Sequence, residues 1–196
     1  MSYPFFAMLF RMKYIRRWAL MRNTQPENLS EHAMETAAIA HCLALIHNRR
    51  FAGTLDPQRA ALIVLFHDCT EILTGDLPTP VKYHNDALRQ SYKEMEAEAG
   101  RRMLAMLPED MQQEYAPLLQ PQPEDQLLWK LCKAADKLTA LLKCIEEEKL
   151  GNTEFASARQ STEAALEEMN MPEVAVFQEE YLPAFGLTLD ELNPPC

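Results

Sequence analysis

The chain has 196 residues, with 19 lysines and arginines against 29 aspartates and glutamates, for a formal charge of −10. That balance argues against polymeric nucleic acid or an anionic membrane as the main partner, whereas one metal ion and one or two arginines can still hold a small anion such as a nucleotide. A chain of this length makes one domain that buries about two thirds of its unfolded surface, enough for a dry, shaped site.

The first residues are apolar, with Phe5, Phe6, Met8, Leu9 and Phe10, but Arg11, Lys13, Arg16 and Arg17 follow closely. The run is too short to span a membrane and lacks the order of a secretory signal. Phe5, Leu9, Met12 and Ile15 recur at helical spacing and predict a short amphipathic helix over 5–15. A polar loop over 22–28, containing Pro26, leads to Ser30, which reads as the N-cap of the next helix with Glu31 in its first turn. That helix runs to about residue 46 and is apolar around most of its circumference, which marks it as central. His32 lies in its first turn.

After a loop at Gly53 comes an apolar run over 60–66 that delivers His67, Asp68 and, three residues on, Glu71. Asp56 as N-cap and Pro57 at the first helical position favour a buried helix over a buried strand. On one helix over 60–71, Glu71 lies a turn beyond both His67 and Asp68, so the three polar groups can converge. Burying an unpaired carboxylate costs roughly several kcal/mol, on the order of what a well-chosen cation returns, which points to a metal ion. The following Leu73-Thr74-Gly75-Asp76-Leu77-Pro78-Thr79-Pro80-Val81-Lys82 is a stiff loop: Gly75 permits a sharp turn before Asp76, and two prolines flank Thr79.

A solvated outer helix is expected over 86–107. Pro108, Pro117, Pro121 and Pro123 then break the chain into short pieces. A long helix over 124–150, closed by Gly151, carries Asp136 on the face it shares with Trp129, Cys132 and Ala140. Two more helices are expected over 153–169 and 172–181. No strand pattern competes, and the reading is all-α, with residues 1–196 as a single domain. Phe177, Tyr181, Phe185 and Leu187 near the end form either a dimer face or the closing side of the core.

His32, His67, Asp68 and Asp136 make an ordered set of two imidazoles and two carboxylates. Such a set suits a hard or borderline divalent ion, Mn²⁺, Co²⁺, Fe²⁺ or Zn²⁺, with positions left for water and substrate. Only five glycines are present and none builds a phosphate cradle, so any phosphate must be held by side chains and metal. Arg17, next to Trp18 and ahead of the His32 helix, offers a planar, bidentate phosphate clamp. Glu71 can orient His67 or a metal water, or move protons. Asp76 and Thr79 either cap turns or contact a ligand. Cys69 is two residues from His67 and faces away from it on a helix, which argues against a Cys-His nucleophile. His41 falls on the face opposite His32, and His47 lies about 22 Å along the helix. The five cysteines are odd in number and form no CxxC pair, as expected of reduced thiols in the cytosol.

The set His32, His67-Asp68 and Asp136 resembles the metal signature of the HD-domain phosphohydrolases. The likeness continues through Arg17-Trp18, Met21-Arg22-Asn23, Glu27-Asn28, Ser30-Glu31-His32, Glu71, the Leu73 to Lys82 string and Lys133-Ala134-Ala135-Asp136, a pattern similar to the bacterial HD-domain 5′-deoxynucleotidases. What the resemblance implies is an HD-type helical bundle and a cytoplasmic, homodimeric, metal-dependent enzyme. It would hydrolyse deoxyribonucleoside 5′-monophosphates, spare ribonucleotides and show little base preference. It implies His32, His67, Asp68 and Asp136 as metal ligands, and Arg17, Glu71 and Asp76 as catalytic residues. The nucleotide would be held by Arg17, Trp18, His32, Asp68, Asp76, Leu77, Pro78, Thr79 and Asp136. The ion would be Co²⁺ or Mn²⁺, with Zn²⁺, Cu²⁺, Fe²⁺ or Mg²⁺ as alternatives. Rival readings are an HD phosphohydrolase of nucleoside triphosphates, alarmones or cyclic nucleotides, and a non-catalytic helical module that binds metal and nucleotide.

Overall fold

In chain order the helices are α1 (Phe5–Leu9), α2 (Leu29–Arg50), α3 (Pro57–His67), α4 (Glu71–Thr74), α5 (Thr79–Lys82), α6 (Asp86–Leu104), α7 (Glu109–Leu119), α8 (Gln126–Lys149), α9 (Ala156–Met169), α10 (Pro172–Glu180) and α11 (Leu189–Leu192). The structure, a computed structural model, describes residues 2–82, 84–120 and 122–193, the side chains at 79 and 80 excepted. Among the described residues there is no strand, only an isolated antiparallel bridge between Arg16 and Asn28. The all-α expectation holds.

Four local readings are corrected. The segment 5–15 is not one helix, because α1 tightens into a 3₁₀ turn over Phe10–Tyr14; Phe5 and Met12 are still buried. Ser30 is not the cap of the central helix. Asn28 is: its Oδ1 accepts from the N–H groups of Ser30 (3.0 Å) and Glu31 (3.1 Å), and the Glu31 carboxylate accepts from the Asn28 N–H at 3.1 Å. This capping box starts α2 two residues early because the bridge to Arg16 holds Asn28 extended. The helix over 60–71 is also not continuous. Asp56 and Pro57 start α3 as expected, but Asp68 leaves the helix as its C-cap and Glu71 opens α4. Finally, an eleven-residue helix, α7, occupies part of the proline-rich stretch. Pro117 sits in its last turn, where it removes one donor while the Gln120 N–H still reaches the Ala116 carbonyl at 3.1 Å.

The main core lies between α2, α3 and α8 and is closed by α9 and α10, with Leu43, Ile63, Val64, Leu131, Leu138 and Leu141 all buried. A second cluster joins α1 and its 3₁₀ turn to the end of α3 and to Met103, Leu107 and Leu119. Phe177 belongs to the main core, while Tyr181, Phe185 and Leu187 are exposed.

One buried ion pair fixes the long loop that enters α2. Glu147 on α8 is fully buried and accepts from the N–H groups of Thr24 (2.8 Å) and Gln25 (3.0 Å), from Asn152 Nδ2 (2.7 Å) and from Lys143 Nζ (2.6 Å). Burial alone would raise its pKa, but Lys143 and the other donors hold it below the usual carboxylate range. Its stabilisation is therefore complete above the ordinary carboxylate pKa and is lost as pH falls below it. Glu147→Ala should cost about 3–5 kcal/mol at pH 7, because it leaves the buried Lys143 with only the Gln25 carbonyl and Glu146 at 3.9 Å and deprives the Thr24 and Gln25 N–H groups of their acceptor, and the gap between variant and parent should narrow at pH 3. Denaturant melts at the two pH values measure both quantities.

Candidate active site

The bridge that caps α2 also builds the site. Arg17 N–H donates to the Glu27 carbonyl and Leu29 N–H to the Ile15 carbonyl, each at 3.1 Å, so two short stretches run antiparallel beside the first turn of α2. His32, one turn into that helix, is fully buried. Its Nε2 lies 2.9 Å from Asp136 Oδ1 on α8 and 3.7 Å from Asp68 Oδ2. His67 ends α3. Its Nδ1–H donates to the Val64 carbonyl at 2.6 Å, since a carbonyl only accepts, and this turns Nε2 into the cluster, 3.2 Å from Asp68 Oδ1. That Nε2 is buried with no hydrogen-bond partner. Donor atoms of His32, His67, Asp68 and Asp136 all lie within 4.8 Å of one another.

These residues fit a divalent ion. Metal bonds of about 2.0–2.2 Å place ligand atoms at most roughly twice that far apart, close to the spacing here, and the orphaned His67 nitrogen is the donor such an ion would use. Burial and Arg17 act to lower the His32 pKa, but hydrogen bonds to Asp136 and Glu27 outweigh them and raise it to about 9. The negative potential that favours a proton there favours a cation for the same reason. Asp136, in turn, is held below the usual range by His32 against the opposing effect of burial.

Two more carboxyls sit beside the cluster with the opposite tendency. Glu71 is 7% exposed, its N–H donates to the Asp68 carbonyl at 3.0 Å, and its Oε2 has no partner. Burial, then the charges of Asp68 and Asp76, push its pKa well above the usual carboxylate range. Asp76 follows Gly75, whose φ of +77° is the left-handed turn the sequence anticipated, and burial raises its pKa as well. Carboxyls shifted upward next to ionised ones have the properties of proton carriers.

Arg17 faces three of these acids, with Nε 3.6 Å from Glu27, Nη1 3.6 Å from Asp68 and Nη2 3.9 Å from Asp136. None of these is a tight hydrogen bond, so the guanidinium retains donors for an anion. Next to it, Trp18 adopts φ of +56°, uncommon for a bulky residue. It is fixed there by an indole N–H donated to Glu27 Oε2 at 2.9 Å and by Phe155, with ring centroids 5.3 Å apart.

Arg17 and Trp18, with Asp76, Leu77, Pro78 and Asp136, line a cleft of about 770 Å³. Asp136 and Arg17 connect this cleft to the four-residue cluster. Thr79 was expected here too, but its side chain lies outside the described residues. Cys69 is buried, and burial with the charge of Asp68 pushes its thiol up to about 12, so it stays protonated. His41 takes no part in the cluster, and His47 pairs with Glu173 instead.

The site also contains residues that sequence reasoning missed. Glu27 entered only as part of the family pattern, without a role, because it has no periodic signal: it lies in a loop and reaches the cluster through the Arg16–Asn28 bridge. Ser157, Ala158 and Ser161 of α9 form the far wall of the cleft because the turn at Gly151 folds α9 back on α8.

An all-α bundle that gathers a histidine, a His-Asp pair and a distant aspartate has the architecture of an HD-domain phosphohydrolase, a metal-dependent class. The crystal structure of an HD-domain phosphohydrolase from Listeria innocua matches it with a TM-score of 0.79 at 25% identity, over 92% of this chain and 87% of that one. Within that class, the sequence model described as 5′-deoxynucleotidase YfbR-like matches residues 4–185. A 5′-deoxynucleotidase of Vibrio parahaemolyticus is 48% identical over 189 residues, 96% of this chain and 97% of that protein. One of Vibrio cholerae is 47% identical with the same coverage. The chain belongs to the YfbR-like 5′-deoxynucleotidase family of hydrolases.

Proposed function

We propose that this chain hydrolyses deoxyribonucleoside 5′-monophosphates to deoxyribonucleosides and orthophosphate, discriminates against ribonucleotides and is tolerant of the base. The observation that carries the reading is the placement of Arg17 between the His32, His67, Asp68, Asp136 set and a cleft large enough for a nucleotide. The four residues of that set would hold a divalent ion, Co²⁺ or Mn²⁺ first. When bound, such an ion lowers the pKa of a coordinated water and offsets charge developing on phosphorus.

The chain's own groups do the rest. Arg17 orients the phosphate, which for phosphoryl transfer is a large part of catalysis. Glu71 and Asp76 take the proton from the attacking water and supply one to the 5′-oxygen as its bond to phosphorus breaks. Trp18 and the loop at 76–79 wall the sugar. A close wall rejects a 2′-hydroxyl by clash and desolvation, so the deoxy preference should be finite. Base tolerance is supported by the α9 wall, where Ser161 and Thr162 both donate to the Ala158 carbonyl, at 3.0 and 2.7 Å, which leaves Ser157 as that wall's free hydroxyl donor.

Arg17→Ala should lower kcat/KM for a deoxynucleoside monophosphate by about 10²–10³-fold without loss of metal, as removal of one transition-state donor does elsewhere. Steady-state kinetics with a metal titration checks this, and an unchanged rate would remove the clamp from the mechanism. The whole reading is tested by phosphate release from matched deoxy- and ribonucleoside 5′-monophosphates, using chelator-treated protein refilled with Co²⁺, Mn²⁺, Mg²⁺ or Zn²⁺. Turnover of the deoxy series alone supports it. Silence on every monophosphate with metal bound would sink it and turn attention to triphosphates and alarmones.

Residues 1–196 would act as one catalytic domain in a cytoplasmic homodimer. Among the described residues no helix is long and apolar enough to cross a membrane, and Cys42, Cys69, Cys132 and Cys144 are unpaired. Exposed Tyr181, Phe185 and Leu187 would contribute to the dimer face, which light scattering of the wild type and a Phe185→Glu variant would read.

A further inference from the structure

Glu27 stands where the metal set and the sugar wall meet. Its Oε1 lies 3.2 Å from His32 Nδ1, and its Oε2 accepts from the Trp18 indole at 2.9 Å with Arg17 Nε at 3.6 Å. The side chain is only 10% exposed, so no solvent network can substitute for it. Its two oxygens therefore serve two different parts of the site. One accepts the Nδ1–H of His32, which leaves Nε2, the nitrogen beside Asp136 and Asp68, as the atom a metal ion would use. The other holds Trp18 in its left-handed backbone conformation against Phe155.

We infer that Glu27 is a positioning residue that couples metal affinity to sugar selectivity, because a single carboxylate must accept from both His32 and Trp18. The sugar arm rests on the reading of Trp18 given above; the metal arm does not. A carboxylate offers two acceptors, whereas a glutamine offers one carbonyl and one NH₂ donor. In Glu27→Gln the amide can accept from His32 or from Trp18, and it presents a donor to the other. If it faces His32 wrongly, the ring must carry its proton on Nε2, where the metal belongs. If it faces Trp18 wrongly, the indole is displaced from the wall. Replacing Trp18 by phenylalanine removes the indole donor and leaves on that side only Arg17 Nε, which at 3.6 Å makes no hydrogen bond, so the amide oxygen is then free to serve His32.

The test uses Co²⁺ titration of the chelator-treated full chain, followed by its visible absorption, and the ratio of kcat/KM for a deoxy- and a ribonucleoside 5′-monophosphate carrying the same base. Glu27→Ala is expected to weaken Co²⁺ binding by about 10–100-fold, the usual effect of losing a group that orients a ligating histidine, and to collapse the sugar ratio toward one. Glu27→Gln should lose Co²⁺ affinity, the sugar ratio, or both. In the pair Glu27→Gln, Trp18→Phe, Co²⁺ affinity should return to within about threefold of Trp18→Phe alone, a recovery that a merely structural role would not produce. Thermal melts show which variants are folded, and the near-isosteric glutamine keeps the test available if the alanine is not. Wild-type Co²⁺ affinity and sugar ratio in Glu27→Gln would overturn the inference, as would a Co²⁺ defect that Trp18→Phe leaves unrelieved. If the wild type itself shows no sugar preference, the reading of Trp18 fails while the Co²⁺ arm still decides whether Glu27 orients His32.

Discussion

Asp68→Ala is expected to lower phosphate release by at least about 10³-fold and to remove tight metal binding. Asp68 is the acid that reaches both imidazoles, with Oδ1 3.2 Å from His67 Nε2 and Oδ2 3.7 Å from His32 Nε2 and 3.6 Å from Arg17 Nη1. A bound metal ion supplies several kcal/mol of charge stabilisation in a transition state, and each 1.36 kcal/mol is a factor of ten in rate, so losing about 4 kcal/mol gives the stated loss. The fold should survive. Asp68 serves α4 through its backbone carbonyl, which alanine retains, and removing one acid from the neighbourhood of Glu71, Asp76 and Asp136 relieves repulsion in the chelator-treated protein. The measurements are Co²⁺ titration, phosphate release and a thermal melt. A variant that binds metal as tightly as the parent and turns over would place the ion elsewhere.

Glu71→Gln should reduce kcat by about 10²–10⁴-fold, the usual worth of a positioned acid or base, while metal affinity stays near the parent value. The distinguishing result is in stability. Burial and the charges of Asp68 and Asp76 raise the pKa of Glu71 above its unfolded value, so the folded state holds this proton more tightly than the unfolded chain does. The stability this contributes is full below the ordinary carboxylate pKa and is lost as pH rises through the raised value. In chelator-treated protein, glutamine should therefore raise the melting temperature at pH 8 relative to the parent and leave it nearly unchanged at pH 4. A variant that is both slower and more stable is the signature of a carboxyl kept for chemistry at a cost to folding. If Glu71→Gln retains full turnover, Asp76 alone carries the protons.

Several features were legible because their signals are local. Asp56 and Pro57 start α3, Gly75 and Gly151 take positive φ where a turn must reverse, and the apolar run over 60–66 is buried through Ile63, Val64 and Phe66. Boundaries failed where a distant contact intervened: Asn28 replaced Ser30 as cap only because Arg16 pairs with it. The break after His67 escaped notice because Glu71 meets the cluster equally well from a new helix as from a continued one.

Local signals in the chain set where α2, α3, α6, α8, α9 and α10 form, though α7 went unread, and which donor types exist, two imidazoles and a set of carboxylates with no thiolate among them, because capping, proline placement and apolar periodicity act within one or two turns of chain. It took the packed fold to bring Asp136 to His32 across 104 positions, to join His32 to Trp18 through Glu27, and to set α9 against the cleft. Those juxtapositions depend on how the apolar faces of α2, α3, α8 and α9 pack, and packing is a property of all the faces together that no single stretch of chain encodes.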